Sequence, residues 1–207
     1  MSLHKEPISQ TLISGKCENE KDTTFSFSFY YKSTMKSGKL SFNIFVKGER
    51  APVFTVGYSR SWINETKLIW QHLLKNFSKG KKETFSITRF EWDKVEKKGK
   101  STQIGNIAYG FDQDKGLPFI AISHNGKVYK CPLNIGAFIE KNIVRKEEYF
   151  TPEKERELII SSFIDMLDEA LNLMTYTLSL PKDPLPTKDG RGNTSASSTE
   201  VEDEIPF

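Results

Sequence analysis

Twice along this chain a run of period-two alternation gives way to the 3.6-residue period of an α-helix, and that double switch restricts the fold more than any other feature. Thr24 to Lys32 alternates aromatic and polar residues. Lys39 to Lys47 does so more cleanly, with Leu40, Phe42, Ile44 and Val46 on one side and Lys39, Ser41, Asn43, Phe45 and Lys47 on the other. Ala51 to Ser59 reads as a further strand, and Gln10 to Lys16 as a weak first one. From Trp62 to Phe77, Trp62, Ile63, Ile69, Trp70, Leu73, Leu74 and Phe77 then fall on one helical face. Ser61 is the expected N-cap, Gly80 the expected stop, and Lys79, Lys81 and Lys82 follow where cations favour a helix end.

The plan then repeats. Glu83–Trp92, Thr102–Phe111, Leu117–His124 and Lys127–Leu133 read as strands, with Asp93–Lys100 a charged loop. Asn125-Gly126 is a two-residue hairpin signal, because both central residues of that turn take positive φ. A second helix is predicted from Pro152 to Leu178, capped by Thr151 and barred from extension by Pro181. Its period is carried by Leu158, Phe163, Met166, Leu167, Ala170, Leu171 and Met174. The expected fold class is α+β: antiparallel β-sheets with two helices in a doubled ββββα plan. After Leu180, Pro, Gly, Ser, Thr and charged residues replace apolar ones, too few to offset chain entropy by burial. Residues 1–180 are therefore expected to form the folded domain and 181–207 a disordered linker and tail.

Charge divides the same way. Pro181 to Phe207 holds three basic and six acidic residues, net −3, which leaves 27 basic against 21 acidic, net +6, on the rest. A basic body with an acidic tail suits a polyanion binder. Apolar stretches fall short of the roughly 20 residues that span a bilayer, and Met1 to Glu6 offers no hydrophobic targeting segment, so a soluble cytoplasmic protein is expected. The two cysteines, Cys17 and Cys131, are expected to be reduced in that compartment, with a disulfide between them as the alternative.

Catalytic constellations are not found. His4, His72 and His124 lie in no metal or nucleophile pattern, and no phosphate-binding Gly-rich loop occurs. Asp112 and Asp114 before Gly116 read as a hairpin turn, because no downstream Glu completes a calcium loop. A non-enzymatic protein without cofactor or metal is expected. Binders of single strands combine cations along the phosphates with aromatics on which bases stack. Tyr30 with Lys32, Phe45 with Lys47, Tyr58 with Arg60, Arg89 with Trp92, and Tyr129 with Lys127 supply such pairs. Among these Phe45 stands out, because its strand already has a separate apolar face.

Glu202, Asp203 and Glu204 directly precede Ile205, Pro206 and Phe207. This acidic Ile-Pro-Phe ending, after a flexible linker, resembles the C-terminal tip of bacterial single-stranded-DNA-binding proteins. The resemblance implies a docking tail for host replication, recombination and repair proteins, and a bacterial or bacteriophage source. An aromatic anchor stiffened by proline and steered by carboxylates fits such a role. The body is different. Its doubled plan resembles the topology of Whirly and related coactivator-type single-strand binders, although Lys79-Gly80-Lys81-Lys82 does not match the Lys-Gly-Lys-Ala-Ala-Leu motif of that family. The alternative is an oligonucleotide-binding (OB) barrel with an added hairpin and C-terminal helix. The expected function is sequence-independent coating of single-stranded DNA, with assembly into a homo-oligomer an open expectation. A transcription cofactor or RNA-binding regulator is the alternative, and a protein-interaction module the third.

Overall fold

The computed structural model describes residues 7–93, 98–133 and 151–182, with the side chains of 91–93 excepted. The tail residues Glu202 to Phe207 lie outside the described residues, as does nearly all of the linker. Strands β1 (Ile8–Lys16), β2 (Thr23–Tyr31), β3 (Lys39–Val46) and β4 (Phe54–Tyr58) form one antiparallel sheet in sequence order. Helix α1 (Arg60–Lys75) follows. Strands β5 (Lys82–Asp93), β6 (Lys98–Phe111), β7 (Pro118–His124) and β8 (Lys127–Pro132) form the second, also in sequence order, before helix α2 (Pro152–Ser179). The class is α+β, with two four-stranded antiparallel sheets and two helices among the described residues. The eight strands divide into two sheets, whereas the OB alternative needs five strands around one core.

Alternation dictates which side of each strand is buried. In the first sheet Phe25, Phe27 and Phe29 pair across to Ile44, Phe42 and Leu40, and these residues are buried with Tyr31, Phe54, Val56 and Tyr58. In the second, Ile107, Tyr109, Phe111, Ile120, Ile122, Tyr129 and Cys131 are buried. Helix α1 brings Trp70, wholly buried, against Tyr109, Phe111 and Phe163, with ring centroids 5.9, 6.2 and 6.2 Å away. Phe163 of α2 meets Phe27 of β2 at 5.3 Å. The Tyr58 and Tyr109 hydroxyls meet at 3.1 Å across the two sheets, and Thr66 of α1 stands 3.3 Å from Tyr109. Both helices and the inner faces of both sheets thus share one aromatic core.

Several boundaries differ from expectation for local reasons. Helix α1 starts earlier, because Ser59 rather than Ser61 caps it: Trp62 N donates to Ser59 Oγ at 3.2 Å, and Ser61 bonds Ser59 instead. It ends at Lys75, where Asn76 Nδ2 donates back to the His72 carbonyl at 3.1 Å. Gly80, at φ +75°, serves the turn into β5. The charged loop shrinks, since β5 runs to Asp93 and β6 starts at Lys98. In α2 Leu158 is exposed, while Ile159 and Ile160 turn inward. Thr151 caps α2 as expected, and Asn125 and Gly126 take φ of 49° and 74° in the predicted hairpin turn. No helix among the described residues is long and apolar enough to cross a membrane.

The sheets are also tied at a polar seam between the β1–β2 turn and β8. Glu18 N donates to the Lys130 carbonyl at 2.8 Å, and Lys130 N donates to Asn19 Oδ1 at 2.7 Å. The Lys130 amine meets Glu18 at 2.8 Å and also bonds Asp112. Asp112 in turn accepts from the Lys115 and Asp114 amides at 2.8 and 2.9 Å, the turn expected from sequence. The Lys115 amide and the Lys130 amine together lower its carboxyl from 3.8 to about 2. A depressed carboxylate stabilises the fold above its unfolded pKa, and that contribution is lost as pH falls from about 4 through about 2. Asp112→Asn is expected to destabilise the fold at pH 7, by well under the full shift because solvent screens this carboxylate, and to change almost nothing at pH 2, measured by urea denaturation across that range.

Candidate nucleic-acid interface

β2 and β3 bury one side completely, and the residues between form the outer face of the first sheet, with Thr24, Tyr30, Lys39 and Phe45 exposed, Ser28 and Ser41 half-buried, and Ser26 and Asn43 buried. Register assigns its rows. Ser14, Ser26, Asn43 and Thr55 lie side by side, and so do Thr11, Ser28, Ser41 and Gly57. These eight are small and uncharged, so they make a low floor. Thr55 Oγ1 donates to Asn43 Oδ1 at 3.0 Å, and Ser26 and Ser28 share a hydrogen bond at 3.1 Å, which orients the polar groups in advance. Ser9, Tyr30 and Lys39 flank one end of the floor; Lys16, Thr24 and Phe45 flank the other. Lys39 and Phe45 are six residues apart on β3, about 20 Å at the usual strand rise.

The two aromatics are exposed, Tyr30 at 41% and Phe45 at 37%, in a sheet whose other Phe and Tyr residues on β2 and β3 are buried. Lys32, Lys36, Lys39 and Lys47 are exposed around them, and from Thr23 to Gly48 the chain contains no Asp or Glu. The β2–β3 connection is anchored where Gly38 N donates to Thr177 Oγ1 of α2 at 2.8 Å. This face therefore combines two stacking surfaces, a small polar floor and cations from an acid-free stretch of chain, with Glu18, Glu20, Asp22 and Glu49 beside Lys16, Phe45 and Lys47 at one end.

The expected site residues separate into groups. Tyr30, Lys32, Phe45 and Lys47 come together on or beside this face. Tyr58 and Tyr129 do not, which corrects the sequence-based expectation: they are 3% and 6% exposed, on the inner sides of their strands. Tyr58 stacks on Trp62 with ring centroids 4.3 Å apart and serves the core. Arg60 is exposed but directed to α2, where Nη2 donates to Thr175 Oγ1 at 2.9 Å. Arg89 lines an open cleft of about 1070 Å³ between β4 and β5, with Trp62, Phe85 and Phe90, that adjoins the floor at Thr55 and Gly57. Lys127 is exposed at the β7–β8 turn. Trp92 pairs with Gly99 in the backbone register, and its side chain lies outside the described residues. Sequence reasoning missed Lys16, Lys39 and the small-residue floor. The signal was there: residues alternating with the buried Phe strip are Ser, Thr, Asn and Gly, within an acid-free stretch.

The second sheet has a similar outer face, with Ser86, Asn106 and Ser123 in one row and Thr84, Ala108, Ala121 and Lys130 in the next. Its electrostatics differ. Lys130 lies 5.2 Å from the centroid of Phe119 and is held by both Asp112 and Glu18. One ammonium between two carboxylates carries a net negative charge, so that corner repels a phosphate, and the Phe119 ring is already capped. No group of three or more His, Cys, Asp or Glu side chains among the described residues is placed to hold a metal ion.

Burial raises the Tyr58 hydroxyl well above 10, and burial also raises that of Tyr109. The folded state keeps these protons when the unfolded chain loses them, so stability is full below about pH 10 and falls above it. Tyr58→Phe is expected to flatten that alkaline loss in thermal melts from pH 9 to 12, whereas a tyrosine on an open binding face would leave it unchanged. The chain matches no protein-family model, no curated protein and no solved structure.

Proposed function

We propose that this protein binds single-stranded DNA without sequence preference, laying the strand across the outer face of β1–β4, and performs no covalent chemistry. One observation carries the reading: exposed Tyr30 and Phe45 at opposite ends of a small polar floor, ringed by Lys16, Lys32, Lys39 and Lys47. Every base has a π-face, so stacking tolerates any sequence and contributes about 1–3 kcal/mol per base. The low floor lets the sugar–phosphate chain approach the sheet, where the exposed Ser14 and Thr55 and the half-buried Ser28 and Ser41 offer hydroxyls, while Ser26 and Asn43 are buried beneath. A rigid duplex keeps its bases stacked inside and has no use for two outward aromatics.

The doubled four-strand-and-helix order supports the Whirly-type topology as the fold-level reading. The acidic segment Glu202-Asp203-Glu204 and Ile205-Pro206-Phe207 supports the second half of the proposal, recruitment of replication, recombination and repair proteins in a bacterial cytoplasm, by a host or phage product. Hydroxyls on the floor also suit the 2′-OH of RNA, so an RNA-binding regulator is the competing reading.

The test is fluorescence anisotropy on a labelled oligo-dT strand, with duplex DNA and the matching RNA as competitors. The expected result is binding that duplex does not displace. Phe45→Ala and Tyr30→Ala should each weaken it roughly 5- to 150-fold. Each phosphate neutralised on a single strand contributes about −0.7 to the slope of log K against log salt. Lys39→Ala and Lys47→Ala should each flatten that slope by about this amount. Preferential displacement by RNA would transfer the reading to the competing class, and undiminished binding by both aromatic variants would remove the face from the account. Deletion of Glu202 to Phe207 should leave or raise DNA affinity while abolishing capture of partner proteins; weaker DNA binding would contradict the docking role.

A further inference from the structure

The seam between the two sheets holds a pair of thiols that the proposed binding function does not use. Cys17, the residue after β1, and Cys131, in β8, are separated by more than half the chain, yet their sulfurs lie 3.6 Å apart. Both side chains are buried and unlinked. The backbone fixes them there. Cys17 N donates to the Thr23 carbonyl at 2.9 Å, Glu18 N to the Lys130 carbonyl at 2.8 Å, and Asn19 bonds both Val128 and Lys130. The thiols thus sit between two backbone segments already joined by hydrogen bonds, one from each sheet.

We propose that Cys17 and Cys131 form a reversible disulfide that locks the two sheets together when the chain meets a low-molecular-weight disulfide oxidant. A sulfur–sulfur bond is about 2.05 Å long, so closure requires a movement of roughly 1.5 Å, within reach of side-chain rotation. The two sulfurs are not equivalent. Cys17, although only 7% exposed, also lines an open groove of about 740 Å³ with Lys16, Phe45 and Lys47 and with the acidic Glu18, Glu20, Asp22 and Glu49, so an oxidant arriving from solvent meets it first. Cys131 is wholly buried behind it. The hydrogen bond shared by the two sulfurs lowers the Cys17 thiol from its ordinary value and, with burial, raises Cys131; the open groove on the Cys17 side assigns the attacking thiolate to Cys17.

The exchange balances without further reagents. The Cys17 thiolate attacks one sulfur of the oxidant, forms a mixed disulfide and releases one thiol. Cys131 then loses its proton and attacks the Cys17 sulfur, expelling the second thiol. The protein loses two hydrogens and the oxidant is reduced to two thiols. In a reducing cytosol the pair rests as thiols, and oxidative conditions close it. The bond would link residues far apart in sequence, the case in which constraint of the unfolded chain is largest.

The test uses the full-length folded protein, incubated with glutathione disulfide and then alkylated, followed by intact-mass measurement and thermal melting. The expected product is a monomer lighter by two hydrogens, unreactive to the alkylating agent, melting about 10 °C above the reduced form, and restored by dithiothreitol. Cys17→Ser and Cys131→Ser should each fail to yield it, and Cys131→Ser should stop at a glutathione adduct on Cys17. The comparison of oxidised and reduced wild-type chain does not depend on either variant folding. A product that stays a glutathione adduct, links two chains, forms only in denaturant, or melts below the reduced form would overturn the proposal and leave the pair as two packed thiols.

Discussion

Burial of Trp70 in the middle of α1 is the contact on which the rest of the molecule depends. Its ring touches Tyr109 and Phe111 of the second sheet and Phe163 of α2, and Phe163 reaches Phe27 of the first sheet. One indole therefore links all four layers. Aromatic pairs of this kind contribute about 0.5–1.5 kcal/mol each beyond the area they bury, and truncating a buried aromatic costs about 3–5 kcal/mol. Because both helices are drawn to the inner faces, the alternation of β2 and β3 directs every second residue outward. The candidate binding face is in this sense a product of the core: the more completely the Phe25–Tyr31 strip is buried, the more firmly Tyr30 and Phe45 are held on the other side.

Electrostatics distinguishes two outer faces that the strand pattern makes alike. Each sheet has an outer row of Ser, Thr or Asn, at least one aromatic residue and nearby lysines. In the second sheet, Asp112 and Glu18 occupy Lys130, and Lys130 occupies Phe119. That cluster serves the seam between the sheets. In the first sheet Lys32, Lys36, Lys39 and Lys47 stand in an acid-free stretch of chain, so the β2–β3 hairpin itself carries no carboxylate. Acidic residues gather on α2, which carries Glu153, Glu155, Glu157, Asp165, Asp168 and Glu169, and at one end of the first sheet, where Glu18, Glu20, Asp22 and Glu49 line the groove beside Phe45.

Elements set by local pattern were legible in the sequence. The alternation around Leu40, Phe42 and Ile44, the Asn125-Gly126 turn, the Thr151 cap and the outward position of Phe45 all depend on neighbours within a few residues. Features set by tertiary context were not. Tyr58 and Tyr129 sit beside basic residues in sequence, like Tyr30, yet pleat and register turn them into the core. Ser59 displaced Ser61 as the cap because β4 ends at Tyr58 and leaves Arg60 free to start the helix. Leu158 was assigned to the buried stripe of α2, but the stripe enters through Ile159 and Ile160. The Cys17–Cys131 proximity and the Glu18–Lys130–Asp112 cluster join residues from distant strands, and no local signal announces them. The tail motif is the reverse case, readable in sequence and outside the described residues.

The most direct test of where the strand lies is photocrosslinking of a short iodouracil-substituted single strand to the full chain, with adducts located by mass spectrometry. Attachment at Tyr30 or Phe45 is the predicted result. Adducts confined to Phe119 on the second sheet, or to Phe85 and Phe90 in the cleft beside Arg89, would contradict the assignment of the binding face to β1–β4.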